Sequence, residues 1–370
     1  MDYALTELCR FFTVASPHRS PLVLATVLRT EGSTYRKTGA AILIGPDGSS
    51  SGMLSGGCLE AELRERAARV LERNRAERAW FDTREDDDPV FGLGMGCEGA
   101  MDVWLQPVAP PEEQGPLHYL RRCLESEIPG AIATVVGGQA GPDELGRQAY
   151  APIAGRANGP APRDGDALDV ALSACLAQSA AEHAGNAAQL RTIQLQQRAI
   201  EVFVAPVGLP PSVLLCGAGP DAIPVCRFAA ALGWRVTVFD HRPAYAAREF
   251  FPAATRVLIG RAEELRDRLD PSHFDAAVVM SHHLPSDILY FKLLCAAPPP
   301  YIGLLGPPAR RQRLFAEAGQ AATRIAARIH GPVGLDIGAG TPESIALAIV
   351  AHIHAVLAGR SGGTFERLAR

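Results

Sequence analysis

Hydrophobic residues follow two different rhythms along this 370-residue chain. Up to about residue 208, short apolar runs are separated by polar, glycine-marked stretches of uneven length. Beyond Pro210-Pro211 the pattern becomes a strict alternation of strand and helix. It predicts strands at 212–216, 235–239, 256–260, 276–280 and 301–305, with helices between them and a last helix from Pro342 to about Ala358. That is the sequence form of a doubly wound parallel sheet.

The first part opens on a helix over 2–15 and a strand over Leu22–Val27, rich in apolar and β-branched residues. The stretch Glu31-Gly32-Ser33-Thr34-Tyr35-Arg36-Lys37-Thr38-Gly39 precedes a second strand, Ala40–Ile44. Pro46-Asp47-Gly48 reads as a tight turn, since proline sets φ and glycine accepts φ > 0. Ser55-Gly56-Gly57-Cys58-Leu59-Glu60 then leads into a charged helix to about Ala79. Within it Glu60–Arg64, Glu62–Arg66 and Glu65–Arg69 stand four apart in the favourable order and predict a solvated face. A strand at Trp80–Asp82, an acidic turn and the glycine-dense Phe91–Gly99 follow, then a strand at Met101–Leu105. Pro110-Pro111 marks a boundary.

Residues 110–208 read as a degenerate second copy of 1–109. A helix at 117–126 precedes a strand at Ala131–Val136, and Ile200–Val207 matches Met101–Val108 almost position by position. The copy has no counterpart to Gly56-Gly57-Cys58 or to the loop around Cys97, so those loops point to function and the shared strands to packing. Residues 154–166 read as a surface loop. The expected organisation is an N-terminal α/β domain over 1–208, a Rossmann domain over 211–360 and a tail over 361–370.

Composition narrows the classes. Hydrophobic residues make up 47% and charged residues 21%, enough to bury a core, and a net charge of −4 gives no basic footprint for nucleic acid. Asp2 and Glu7 sit where a signal peptide is basic or apolar, and no apolar run approaches a membrane span. Eight cysteines without a C-x-x-C pair suit neither a disulfide scaffold nor a structural zinc site. The expectation is a cytoplasmic protein with no membrane or nucleic-acid partner.

Val213 to Ala222 reads strand, G-x-G-x-x-A, helix. Gly217 makes the tight turn, Gly219 lets a phosphate approach, and the helix start offers free N–H groups. Asp240, ending the second strand, is the expected holder of a ribose hydroxyl, with Arg242 beside it leaving the choice between NAD and NADP open. Pro220 and Pro224 crowd the first turns of that helix. Two more loops should reach the same crevice: Met280-Ser281-His282-His283 with Asp287, and Gly303 to Pro308 with Gly306, leading to Arg310 and Arg311. His282 is the candidate there, and His283 is read as having no role in the site. Thr341 as N-cap and Pro342 as first helical residue explain themselves locally, which leaves Asp336 in that segment.

Cys58 follows two glycines at a predicted helix start, where N–H groups and dipole favour a thiolate. Such a thiolate suits a soft-metal ligand, a sulfur carrier or a nucleophile; the alternative is a small residue buried under a tight turn. Cys97 competes for the same role, and the remaining cysteines read as core. The H-E-x-x-H and P-loop patterns are absent.

Taken together, GSTYRKTGAAILIG, SGGCLEAEL, GLGMGCEGAMDVWLQP, LLCGAGPDAIPVCRFAAALGWRVTVFDHR, MSHHLPSD, YIGLLGPPARRQRL and IHGPVGLDIGAGTPESIALAIVAHI resemble the xanthine dehydrogenase accessory factor family, XdhC/CoxI. They run in the family's order and cover most of the chain outside 110–200. The sequence departs at SHHLPSD, where the family more usually has Thr-His, and at GLLGPP, where it more usually has GLLGS. The resemblance implies a cytosolic chaperone, not a turnover enzyme. It would bind the molybdopterin form of the molybdenum cofactor, protect it during sulfuration and pass it to the large subunit of a xanthine dehydrogenase-type molybdenum hydroxylase.

A cysteine desulfurase as sulfur donor and a homodimer are further expectations. The cofactor-binding candidates implied are Gly32, Ser33, Arg36, Gly56, Gly57, Cys58 and Glu60 in the first half, with Cys58 a candidate molybdenum contact. In the second half they are Gly217, Gly219, Asp240, His282, Asp287, Gly306 and Asp336. The alternative is an NAD(P)- or flavin-dependent oxidoreductase working from the Rossmann half.

Overall fold

The computed structural model describes residues 4–15, 20–57, 59–82, 84, 99–108, 115–152, 166–182 and 187–364, and all elements below are those of the described residues. The chain divides into two units, Met1–Leu209 and Pro210–Arg370.

In the first unit the order is α1 (Ala4–Ala15), β1 (Leu22–Gly32), β2 (Ala41–Ile44), β3 (Ser50–Gly52), α2 (Glu60–Arg73), β4 (Glu77–Asp82) and β5 (Gly99–Val108). There follow α3 (Pro116–Ser126), β6 (Gly130–Gly138), β7 (Gln148–Pro152), α4 (Ala167–Glu182), β8 (Gln189–Leu195) and β9 (Arg198–Val207). The strands form two antiparallel sheets, β3-β2-β1-β5-β4 and β7-β6-β9-β8. Both have the same plan. β1 pairs with β5 and β6 with β9, and the register slips at Val27/Arg29 in one and at Val135/Gly137 in the other. In each case the slip follows the sixth residue of the strand.

Equivalent residues of the two copies meet in the core. Leu28 and Val136, the residues at the slips, pack with Trp104 and Phe203, which hold the same place in β5 and β9. Asp102 and Glu201, also equivalent, share Arg78: its Nε and Nη2 donate to Asp102 at 2.9 and 2.7 Å and its Nη1 to Glu201 at 2.6 Å. Those hydrogen bonds, Asp102 foremost, hold the guanidinium firmly protonated. The α/β character and the two-copy plan of this half are present as expected.

Local expectations needed correction in places. The charged helix ends at Arg73, not near Ala79, because Asn74 takes the left-handed conformation (φ 46°) and closes the last turn onto Leu71 O. From Glu77 the chain is strand, with Ala79 and Phe81 facing the core. Of the three i, i+4 pairs predicted on α2 only Glu62–Arg66 forms as drawn, at 2.6 Å; Arg64 turns to Gly48 O and Glu60 to Ser55. The elements β3, β7, α4 and β8 had no predicted counterpart. Nearly all of the loop read over 154–166 lies outside the described residues.

The second unit runs β10 (Ser212–Cys216), α5 (Ala222–Ala231), β11 (Arg235–Asp240), β12 (Arg256–Ile259), α6 (Leu265–Arg268), β13 (Ala276–Val279), α7 (Leu284–Ala296) and β14 (Tyr301–Leu304). It ends with α8 (Pro308–Ala318), α9 (Gln320–Arg324), β15 (Ile329–His330) and α10 (Pro342–Leu357). All paired strands are parallel, in the order β12-β11-β10-β13-β14-β15, so the connections reverse direction between β10 and β13. β10 is buried on both faces, as its unbroken run of apolar residues requires: Val213 and Leu215 pack toward α5 and α10, Leu214 and Cys216 toward α7. The doubly wound Rossmann domain is therefore as the alternation predicted. Thr341 caps α10 with Pro342 following, as expected, and the Ser344 hydroxyl returns the contact by accepting Thr341 N–H at 2.9 Å.

A Tyr301–His330–His352 cluster ties α10 to β14 and β15. The Tyr301 ring stacks on His330 with centroids 4.4 Å apart, and its hydroxyl lies 3.1 Å from His352 Nδ1. Burial lowers both imidazoles below the ordinary 6.5, and His352 lowers His330 further. With a depressed folded value the unfolded chain takes up more protons, so this contribution is complete above about pH 6.5 and fades as the pH falls. The melting temperature is expected to drop between about pH 7.5 and about pH 5. His352→Gln, which keeps an acceptor for the phenol, should flatten that dependence; an unchanged slope would exclude the pair as its source.

Candidate functional site

Strand direction gathers the sequence motifs of the first unit at one end of the five-stranded sheet. β1 ends there at Gly32, β2 begins there, β3 ends at Gly52, β4 ends at Asp82 and β5 begins at Gly99. Segments 33–40 and 53–57 therefore emerge from the same edge, where β4 ends and β5 begins. The 33–40 stretch folds back along β1, with Gly39 N–H on Val27 O and Val27 N–H on Ala40 O. Ser33 is exposed, Arg36 is half-buried, and the Arg36 carbonyl accepts the Thr34 hydroxyl at 2.8 Å. In the second copy the equivalent of 83–98 is a two-residue turn, Gln196-Gln197, with both residues at positive φ. The elaboration belongs to the first copy alone.

The 55–59 turn is held from beneath. Ser55 is 3% exposed, and its hydroxyl donates to Glu60 while accepting the N–H groups of Gly57 at 3.2 Å and Leu59 at 3.0 Å. Glu60, first residue of α2, also accepts the Ser55 N–H at 3.1 Å. Leu54 and Leu59 are buried on either side. Among the described residues there is room above the turn: Gly56 and Gly57 are exposed, Gly57 stands at φ +117°, and no described atom lies within 4 Å of where a β-carbon on either would sit. Packing does not require the absent side chains here. Cys58 and Cys97 lie outside the described residues, and the residue capping α2 is Leu59. The six cysteines that are described, Cys9, Cys123, Cys175, Cys216, Cys226 and Cys295, are all buried. Burial pushes the Cys226 thiol up to about 11, which keeps it a thiol.

In the second unit the carboxyl ends of the strands carry a continuous polar lattice. Gly217 turns the chain so closely under the β13 loop that a β-carbon would stand 2.5 Å from Met280 O. Asp240 is 0% exposed and accepts Ala218 N–H at 2.7 Å, Arg242 N–H at 2.9 Å, and the Arg242 guanidinium at 3.0 and 2.7 Å. Burial alone would raise its carboxyl, but the Arg242 and Ala218 hydrogen bonds hold it below the usual range. Arg242 covers it from outside, with its guanidinium over the Tyr245 ring.

Asp287, 1% exposed, accepts Ser281 N–H at 3.2 Å, the Ser281 hydroxyl, and the Arg310 Nε at 3.1 Å. His282 sits at φ +59°, 60% exposed, and its Nε2 donates to Asp221 at 2.7 Å. His283 caps α7 through Ser286. Gly306 turns the chain into α8 beside Arg310, while Asp336 is exposed on the segment before α10.

The structure thus brings Gly217, Gly219, Asp240, His282 and Asp287 to the switch point, with Gly306 at the next strand end. Two participants carry no signal of a role in the motifs. Asp221 stands at the start of α5 with its Oδ1 buried and unpartnered, and the fully buried Tyr290 keeps its hydroxyl without a hydrogen bond, edge-on to Phe239. An acid inside a phosphate-type turn is visible in the sequence as Pro220-Asp221; nothing there marks Tyr290. Among the described residues no group of three or more His, Cys, Asp or Glu could hold a metal ion, and no helix is long and apolar enough to cross a membrane.

Two antiparallel copies followed by a doubly wound Rossmann unit define the architectural class. Comparison with known proteins supplies the family. The family model described as XdhC Rossmann domain matches residues 213–353, and that of the XdhC and CoxI family matches residues 17–82. A Bacillus subtilis (strain 168) protein, described as a probable component of xanthine dehydrogenase, is 31% identical over 344 residues, covering 90% of this chain and 92% of that one. "Uncharacterized protein YqeB" of Escherichia coli (strain K12) is 33% identical over 172 residues, 45% of this chain and 31% of its own. A crystal structure from Bacillus halodurans, described as a xanthine dehydrogenase, superposes with a TM-score of 0.72 at 25% identity, covering 98% of this chain and 99% of that one. The chain belongs to the XdhC and CoxI family, the xanthine dehydrogenase accessory factors.

Proposed function

We propose that the protein binds the molybdenum cofactor in its molybdopterin form, shields it while the terminal sulfido ligand is installed, and passes it to the large subunit of xanthine dehydrogenase or a related molybdenum hydroxylase. A cysteine desulfurase supplies the sulfur in this reading, and the chain acts as a homodimer. The observation that carries it is the clasped turn of residues 55–59 within the matched segment 17–82. Ser55 and Glu60 fix the turn from below while Gly56 and Gly57 leave space above it. A main-chain turn tied down at Ser55 and Glu60 and open at Gly56 and Gly57 suits a bulky anionic cargo that must be held and then released. Cys58, next to Gly57 in the sequence, would offer it a soft ligand.

The test is reconstitution of hydroxylase activity from apo-enzyme, with each variant supplied at matched folded concentration. Glu60→Ala removes the acceptor for the Ser55 amide and hydroxyl and should lower cofactor retention at least tenfold, about 1.4 kcal/mol. Cys58→Ser should deliver cofactor that fails to activate the hydroxylase. Cys226→Ser, in the core, should cost stability and leave transfer alone. Normal delivery by both Glu60→Ala and Cys58→Ser would refute the assignment of cargo to this turn.

A further inference from the structure

A Rossmann turn implies a nucleotide, and here the residues present do not fit one. The amides that would face a pyrophosphate are mostly committed within the chain. Gly217 N–H donates to Phe239 O at 2.9 Å, Ala218 N–H to Asp240 at 2.7 Å and Ala222 N–H to Gly219 O at 2.9 Å. Pro220 has no N–H at all, which leaves Gly219 and Asp221.

The second glycine of the motif normally admits the phosphate. Its concave side is instead covered by the Asp221 carboxylate, whose Oδ1 lies 2.8 Å from where a β-carbon on Gly219 would stand. That oxygen is buried and lacks a partner, while Oδ2 is latched by His282 from the β13 loop. The positive end of the α5 dipole is therefore already facing a negative charge of the chain's own. The ribose seat is closed as well, because every contact of Asp240 described above is internal and Arg242 stands over it.

We infer that Asp221 fills the anion seat of this Rossmann turn, so that the crevice rejects dinucleotides and other pyrophosphates. The expectation that the 217–222 turn cradles phosphate, with Asp240 on a ribose, is replaced by this reading. It also removes the structural basis for an NAD(P)-dependent oxidoreductase at this site. The inference is independent of where the first unit holds its cargo.

Equilibrium titration of the full chain with NADH, read by nicotinamide fluorescence, and with ADP, read by calorimetry, tests it. The wild-type protein should show no saturable binding below about 1 mM. Asp221→Ser removes the charge and keeps a hydroxyl able to cap α5. It should bind ADP at least tenfold more tightly, about 1.4 kcal/mol. Asp221→Asn, which preserves shape opposite His282, should move the same way and guards against misfolding of the first variant; melting curves confirm that both are folded. Saturable binding of NADH or ADP by the wild type, undiminished relative to the variants, overturns the inference. Absence of binding in all three proteins overturns it too, since the carboxylate would then not be what closes the turn.

Discussion

Gly217→Ala is expected to destabilise the second unit by roughly 2–5 kcal/mol, a large part of the 5–15 kcal/mol that holds a typical domain together. Two costs combine. Gly217 stands at φ +134°, where an L-residue is strained by about 1–2 kcal/mol. A β-carbon would also stand 2.5 Å from Met280 O and 2.6 Å from both Met280 C and Ser281 N. Those are backbone atoms, and Met280 N–H is itself bonded to Cys216 O at 2.9 Å, so they cannot yield cheaply. Crowding of that kind costs about 1–3 kcal/mol more. Gly219→Ala is the control: a β-carbon there meets only the end of the Asp221 side chain at 2.8 Å and His282 Cδ2 at 3.6 Å, without positive φ. It should cost under about 1 kcal/mol. Urea unfolding followed by circular dichroism separates the two, and equal midpoints would show that the turn under β13 has slack to spare.

The same contrast explains what the sequence could and could not reveal. The Rossmann strands β10 to β14 were legible nearly to the residue, because a parallel sheet buried on both faces leaves unbroken apolar runs such as Val213-Leu214-Leu215, whereas the two-residue β15 had no predicted counterpart. The duplication was legible from β5 and β9, whose alternation carries a core on each side. The strands β7 and β8 were not, since their residues are mostly half-buried and give little contrast between faces. Asn74 ended α2 early through a left-handed turn that charge pairing alone does not announce.

For the site, residue type indicated location better than role. Asp240 and Asp287 stand at the strand ends where the motif reading places them, yet both are sealed inside by neighbouring arginines. A linear sequence shows which carboxylate reaches a crevice, but not which cation from another loop has already taken it. Glu60 departs in the other direction. Its spacing to Arg64 places it in a solvated charge pair, while its contact in the fold is with the buried Ser55.

Asp287→Ala should cost about 3 kcal/mol, near the lower end for breaking a buried ion pair. The carboxylate is acceptor to Ser281 N–H, the Ser281 hydroxyl and both Nε and Nη2 of Arg310, and truncation leaves all of them without it. Arg310 is 22% exposed and can turn partly toward water, which holds the loss to the lower end of that range. Asp287→Asn still accepts from Ser281 but gives up the charge opposite Arg310, so about 1.5–3 kcal/mol is expected. The pair as a whole is a different matter, because desolvating two charges offsets much of their attraction. Replacing both, Asp287→Leu with Arg310→Met, should therefore recover most of the stability lost by Asp287→Ala, short of the unsatisfied Ser281 amide. Under the proposed function, if Asp287 serves the fold of the β13 loop, that double variant will also deliver cofactor normally at matched folded concentration. A double variant that melts like wild type but no longer activates the hydroxylase would instead make Asp287 a contact for the cargo, and the lattice around Ser281 its support.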